Sequence, residues 1–470
     1  MKNKRKHRWL LKTAIIGFTV ISLQSCFVAK TYVRPDNVVE AERYRTDKLP
    51  QDSLSMANIS WREMFTDPVL QQYIDEGLSY NMDIRIALQK IIVAESYAKQ
   101  GKAGYLPSLN LNSSVAHQEF SDNSAAGLNA SSINQFELGG ALSWEVDIWG
   151  KIRSNKRATD ARYLQSVAAH QAVKSRLIAN IASTYYQLLT VDEQIKVTEE
   201  TIETRKKGLE TTIALKDAGN VTEVGVKQTE AQLYAAQAIL VDLNVQGRFL
   251  ENTLSILLGD NPRAFKRSTL QEQNIDIPFG LGVPSELLSN RPDVISAEYA
   301  LINAFEMTNV ARSAFYPSLT LNASGGFQSL ELDKLFNVNS LFSSLFGGLT
   351  QTVLNNRRVR TQFEVSKAEQ EQALLQFKYA LLVAGKEVSD AMYGINAASE
   401  KIEIKEREYE AFNLATDYSR ELLDNGLANY LEVLVAQERA LSSNLDMVAA
   451  KNSRLQAIVD LYEALGGGWR

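Results

Sequence analysis

The chain repeats itself. Tyr105-Leu106-Pro107-Ser108-Leu109-Asn110-Leu111-Asn112 returns as Phe315-Tyr316-Pro317-Ser318-Leu319-Thr320-Leu321-Asn322 at an offset of 210, and Asp83-Ile84 meets Asp293-Val294 at the same spacing. Downstream, Gly150-Lys151-Ile152-Arg153 corresponds to Arg357-Arg358-Val359-Arg360, and Asp217-Ala218-Gly219-Asn220 to Asp424-Asn425-Gly426-Leu427, now at an offset of 207. Three residues are therefore missing from the second copy, inside its second strand region. Four ordered blocks at nearly one offset mark an internal duplication, and whatever one half folds into the other must fold into as well.

Each half has the same grammar. A first repeat over about 67–260 reads as a helix (about 68–103), two strands (about 107–119 and 134–148), a long helix (about 151–217) and a medium helix (about 222–258). A second repeat over about 286–466 reads as a helix (about 286–313), strands (about 317–328 and 343–354), a long helix (about 357–424) and a helix (about 428–465). Pro262, Pro278 and Pro284 mark about 261–285 as the linker. Residues 26–66 have weak periodicity and read as an extended arm.

The strands alternate. Phe136, Leu138, Gly140, Leu142, Trp144, Val146 and Ile148 share one face and Glu137, Gly139, Ala141, Ser143, Glu145 and Asp147 the other. Leu109, Leu111 and Val115 alternate with Asn110, Asn112 and Ser114, and Leu319, Leu321, Ala323, Gly325 and Phe327 with Thr320, Asn322 and Ser324. The fourth strand is the least regular. An apolar face backed by a polar one, in segments of about ten residues, fits the wall of an outer-membrane barrel; a half-buried soluble sheet gives the same pattern. Four strands cannot close a barrel in lipid, where open edges leave backbone groups unpaired, so copies must share it. Two, three or four copies would give 8, 12 or 16 strands, and arithmetic does not choose.

Between the strands and the next turn lie very long helices. No proline interrupts 151–217, and an apolar column returns every seventh residue at Val167, Ile181, Leu188, Ile195, Ile202 and Leu209, broken at Lys174. The second half carries it at Leu374, Leu381, Val388, Ile395, Ile402 and Tyr409. Seven-residue recurrence packs helices side by side as in coiled coils. At about 1.5 Å per residue such a helix extends roughly 100 Å, the length of a conduit or spacer. Gly219 and Gly426 follow the long helices, where a chain leaving a helix wants the left-handed region, and Thr222 is placed to cap the next helix.

The N-terminus gives an address. Lys2, Lys4, Arg5, Lys6, Arg8 and Lys12 precede an apolar run from Thr13 to Leu23, too short to span a bilayer, and Leu23-Gln24-Ser25-Cys26 resembles a lipobox. Residues 1–25 thus read as a lipoprotein signal peptide, with Cys26 as the lipidated residue. Its removal takes the 50 Lys and Arg to 44 against 55 Asp and Glu, a net charge near −11 that disfavours nucleic acid as a partner. A single cysteine and three histidines leave little for a disulfide framework or a metal site, and no cofactor is implied. His117 and His170 lie 53 residues apart, and no phosphate-binding loop or nucleophile elbow appears, so an enzyme is disfavoured. A non-conducting coiled-coil lipoprotein explains Cys26 and the heptads but not the alternating strands.

The paired turns Gly219-Asn220-Val221-Thr222-Glu223-Val224 and Gly426-Leu427-Ala428-Asn429-Tyr430-Leu431-Glu432-Val433-Leu434-Val435-Ala436-Gln437, with the duplicated Pro-Ser-Leu strand starts, resemble the TolC-type outer membrane factors of tripartite efflux and secretion systems, in their lipoprotein branch. The resemblance covers almost all of the mature chain. It implies a mainly helical chain with a small membrane β-barrel portion: three protomers build a 12-stranded β-barrel that continues into a 12-helix periplasmic α-barrel. It implies a passive duct in the outer membrane, lipid-anchored and extending into the periplasm, docked by a periplasmic adaptor protein and an inner-membrane RND-type transporter, with type I secretion as the neighbouring alternative. Gly219, Asn220, Thr222, Gly426, Asn429 and Leu431 then fall at adaptor-contacting tips, and Glu432 where acidic side chains ring the closed aperture. Val435 stands where the family often has Asp. Cargo is not legible.

Overall fold

The computed structural model describes residues 28–35, 59–123, 132–273, 275, 290–428 and 430–469. The chain order is α1 (Trp61–Met64), α2 (Pro68–Tyr80), α3 (Met82–Ala103), β1 (Ser108–Glu119), β2 (Ser132–Val146), α4 (Lys151–Asp217), α5 (Glu223–Leu258), α6 (Pro292–Ser313), β3 (Ser318–Ser329), β4 (Leu341–Thr350), α7 (Arg358–Asp424) and α8 (Tyr430–Ala464), with short 3-10 turns near 270, 332 and 338. Two compact units result, each drawing on several stretches of chain.

The first unit (1–36, 91–166 and 297–377) holds one antiparallel sheet in the order β1-β2-β3-β4. Ser108 pairs with Ser143 and Ser318 with Thr350, so the register itself carries the duplication: β1 maps onto β3 at 210 and β2 onto β4 at 207. The apolar sides line up across the sheet, Leu109 beside Leu142, Leu142 beside Ala323 and Ala323 beside Leu345. β1 is exposed along its whole length, and Leu111 and Leu345 are more than four-fifths exposed. β2 ends at Val146 rather than near 148, because the Asp147 carboxylate turns to accept from Ile152 N and Arg153 N, each at 2.9 Å, and starts α4. Gly150 makes that turn at φ +75°; its counterpart Arg357 adopts φ +65° without being glycine. β4 runs from 341 to 350 instead of about 343–354: beyond the Ser318–Thr350 pair, β3 offers no further residue.

The second unit (37–90, 167–296 and 378–470) is helical. Phe65, Leu70 and Ile74 pack with Ile178, Ile181, Tyr185 and Tyr186 of α4, Val388 and Ile395 of α7, and Ile458 and Tyr462 of α8. Part of the seven-residue column is buried there, as Ile181, Leu188, Leu381, Val388 and Ile395, while Ile195, Leu209, Ile402 and Tyr409 are only half-buried. The helix expected over 68–103 is two. Asn81 interrupts it, its Oδ1 accepting from Asp83 N (2.8 Å) and Ile84 N (3.1 Å) while its Nδ2 donates to Leu257 O (2.9 Å). The second repeat does the same with other chemistry: Arg291, before α6, donates from Nη1 to Ala464 O at 3.0 Å, and 464 is 257 plus the repeat offset. Gly259 and Gly466, in left-handed conformation after α5 and α8, complete the equivalence. A Cβ on either would lie 2.5 and 2.7 Å from the carbonyl oxygens of Tyr80 and Asn290.

Candidate functional site

Both helical hairpins turn in the same way. Gly219 (φ +84°) and Gly426 (φ +72°) occupy the left-handed region, with open space where a Cβ would sit, so glycine is wanted there for its backbone alone. Gly219 N donates to Lys216 O (2.8 Å) and Asn220 N to Leu215 O (2.9 Å); 207 residues on, Gly426 N donates to Leu423 O (2.9 Å) and Leu427 N to Leu422 O (2.8 Å). These pairs satisfy carbonyls that the ending helix would leave orphaned. Thr222 is the N-cap residue of α5, as its position in the sequence suggests, but its side chain makes no capping bond; Lys216 instead reaches Glu223 at 3.2 Å, which raises the lysine's pKa.

Asn220 and Thr222 are exposed, as are Gly219, Gly426, Leu431 and Glu432. Glu432 lies in the first turn of α8, where a carboxylate is favoured by the helix dipole, on a stripe it shares with Val435, Arg439 and Ser442. Asn429 and Cys26 fall outside the described residues. Sequence reasoning missed the apolar character of the tips: Val224 is 66% exposed and Leu427 76%, and Val224 is the repeat counterpart of Leu431. Val224, at the start of α5, and Leu427, in the turn before α8, leave one uncovered aliphatic side chain at each tip.

It also missed what ties the hairpins together. The Arg205 guanidinium of α4, almost wholly buried, donates to Gln232 O of α5, and Gln232 Nε2 donates to Leu434 O of α8 at 3.3 Å. Burial lowers the Arg205 pKa, against the pull of Glu438. Nearer the tips, Tyr430 sets its hydroxyl 3.2 Å from Thr229 Oγ1. A cleft of about 260 Å³ beside Arg205 is lined by Glu200, Asp417 and Arg420 among others, a charged gap between helices rather than the apolar pocket of a small-molecule site. Among the described residues no three His, Cys, Asp or Glu side chains are grouped to hold a metal.

At the helix end of the sheet the side chains are aromatic. Trp149 stacks on Tyr316 with centroids 4.9 Å apart and donates from Nε1 to Pro317 O (2.7 Å), and Trp144 donates to Tyr105 O (3.0 Å). Residues 28–35 run along α6: Lys30 exchanges two hydrogen bonds with Asn309, Arg312 donates to Val28 O, and Arg34 pairs with Glu298 at 3.1 Å. Among the described residues no helix is long and apolar enough to cross a membrane.

One family model, described as outer membrane efflux protein, matches twice, over residues 73–260 and 283–467. The chain belongs to the outer membrane efflux protein family. Its two matches fall one on each half of the duplication. The cation efflux system protein CusC of Escherichia coli O6:H1 is 27% identical over 469 residues, covering 96% of this chain and 97% of the relative. The probable outer membrane lipoprotein SilC of Salmonella typhimurium is 25% identical over 458 residues, covering 96% and 97%. A crystal structure of CusC, described in terms of folding and transmembrane channel formation, superposes with a TM-score of 0.83 at 25% identity over 94% of this chain and 99% of that one. This efflux protein is accordingly an outer-membrane channel, the exit duct of an efflux system, and the exposed four-stranded sheet is its membrane portion.

Proposed function

We propose that three copies of this chain close one 12-stranded barrel and that the resulting duct passively carries substrates delivered by a periplasmic adaptor protein and an inner-membrane RND-type transporter. The observation that carries the reading is the sheet with two open edges: among the described residues β1 and β4 each have one neighbour, and in lipid the unpaired backbone groups of both edges need partners. The aromatic cluster at its helix end suits a membrane–water boundary. Val28 O accepts from Arg312 at that end, and Cys26, the residue that would carry the lipid, precedes Val28 by two residues in the sequence. The chain supplies no energy; the transporter does, and it selects the cargo.

Gly219, Asn220, Thr222, Gly426, Asn429 and Leu431, with the aliphatic side chains of Val224 and Leu427, form the surface offered to the adaptor. Glu432, repeated around the axis, narrows the closed aperture and disfavours anions. The test is single-channel conductance of the purified protein in planar bilayers. Glu432→Ala raises conductance and weakens cation preference; unchanged conductance and selectivity remove Glu432 from the aperture. Absence of any conductance in both proteins, under conditions where a porin conducts, removes the duct.

A further inference from the structure

The fourth strand departs from the pattern of the other three. On the polar face of the sheet β1 places Asn110, Asn112 and Ser114, β2 places Glu137 and Ser143, and β3 places Thr320, Asn322 and Ser324. β4 places Phe342, Ser344 and Phe346 there, while Leu341, Leu345 and Leu349 take the other side. In the four strands as described, these two phenylalanines are the only aromatic side chains on the polar face. Their repeat counterparts in β2, 207 residues earlier, are Gln135 and Gly139. The irregular alternation of β4 is therefore an addition of rings to a face that is otherwise small and polar.

Glycines set how those rings lie. Phe342 pairs with Gly326 and Gly326 with Gly139, so two places in its row carry no side chain. A Cβ on Gly139 would stand 3.4 Å from Phe342 Cζ, although Gly139 is two strands, about 9–10 Å, away. The ring spans that gap by lying along the sheet across Gly326. Phe346 lies over Gly348 of its own strand, where a Cβ would meet Cε1 at 2.8 Å and Cζ at 3.1 Å. Both rings thus rest on bare backbone, and Phe346 is 62% exposed. In a membrane barrel the apolar face meets lipid and the polar face meets the lumen, so the free sides of these rings border the duct. We propose that Phe342 and Phe346 form an aromatic subsite on the wall of the duct that takes a planar aromatic group of the passing cargo by stacking. This rests on the duct reading above and adds to it the residues that touch what passes. Asn322, Ser324 and Ser344, on the same face, are neutral, so the subsite reads ring surface rather than charge. Each ring contributes about threefold to tenfold in affinity, enough to hold a molecule briefly and still release it.

Binding of ethidium, a planar aromatic cation, to the detergent-solubilised full chain tests this by fluorescence anisotropy, with the conductance of each preparation in planar bilayers as the check on the duct. Phe342→Leu and Phe346→Leu keep an apolar cover over the glycines and remove the ring; each weakens binding about threefold to tenfold. Phe346→Trp keeps a ring and keeps the affinity. Leu345→Ala, on the opposite face of the same strand, leaves it unchanged. Tetraethylammonium, of equal charge and without a ring, does not displace the probe. Equal affinity in the parent and both leucine variants, or displacement by tetraethylammonium, overturns the subsite and leaves a conducting duct standing. An equal loss in Leu345→Ala places the binding on the lipid-facing side and overturns it as well. Absence of conductance from every preparation removes the duct, and the subsite with it.

Discussion

Asp67 caps α2 with its side chain buried. Its Oδ1 accepts from Val69 N at 2.7 Å, and its Oδ2 accepts from the Tyr185 hydroxyl and Gln273 Nε2, each at 2.9 Å, and from the Ser268 hydroxyl. Burial works against the charge, but the hydrogen bonds from Ser268, Tyr185, Val69 and Gln273 outweigh it and hold the carboxyl below the usual aspartate value. A carboxyl with a depressed folded-state pKa adds stability above the unfolded value near ~4 and loses it as pH falls through the folded one. Asp67→Asn therefore lowers stability by about 1–2 kcal/mol at neutral pH, and the difference from the parent shrinks below about pH 4 in thermal unfolding of the detergent-solubilised protein. Gly219→Ala and Gly426→Ala each cost about 1 kcal/mol by the same measurement, and alike, since neither position has a neighbour for the new methyl to strike. The glycines were legible because the Asp-Ala-Gly-Asn turn is local. The Asp67 cluster was not, because its partners lie 118, 201 and 206 residues away in sequence.

Among the elements, the strands and long helices follow from periodicity, and the departures occur where a neighbour decides. Period two set the faces of β1, β2 and β3, while β4 stops at Thr350 for want of a partner strand. The divided first helix was hidden because the run from 68 to 103 holds its only proline at the start; a tertiary bond from Asn81 to the end of α5 breaks it. The same joint in the second repeat uses a buried arginine, whose Nη2 pairs with Asp293 and Glu387, both at 2.7 Å. Asn81→Ala removes neutral hydrogen bonds and costs about 1–2 kcal/mol. Arg291→Ala removes charge-assisted hydrogen bonds to two carboxylates that are each more than a third exposed, together with the bond to Ala464 O, and costs about 2–3 kcal/mol, the larger loss in urea unfolding of the pair. Equal losses would mean that the two joints carry equal loads despite their chemistry.

At the scale of the whole molecule, the chain is one part of a larger tube. Its duplication makes two similar sets of strands and helices, its sheet ends, among the described residues, in two edges without a neighbouring strand, and its hairpins end in exposed aliphatic residues. The need for several copies was legible in the count of four strands; the number three came from resemblance, since strand arithmetic admits two or four. The most direct test is the mass of the protein extracted from the outer membrane in mild detergent, measured by native mass spectrometry. Three chains per particle is the predicted result. A particle of one chain that still conducts would contradict the account.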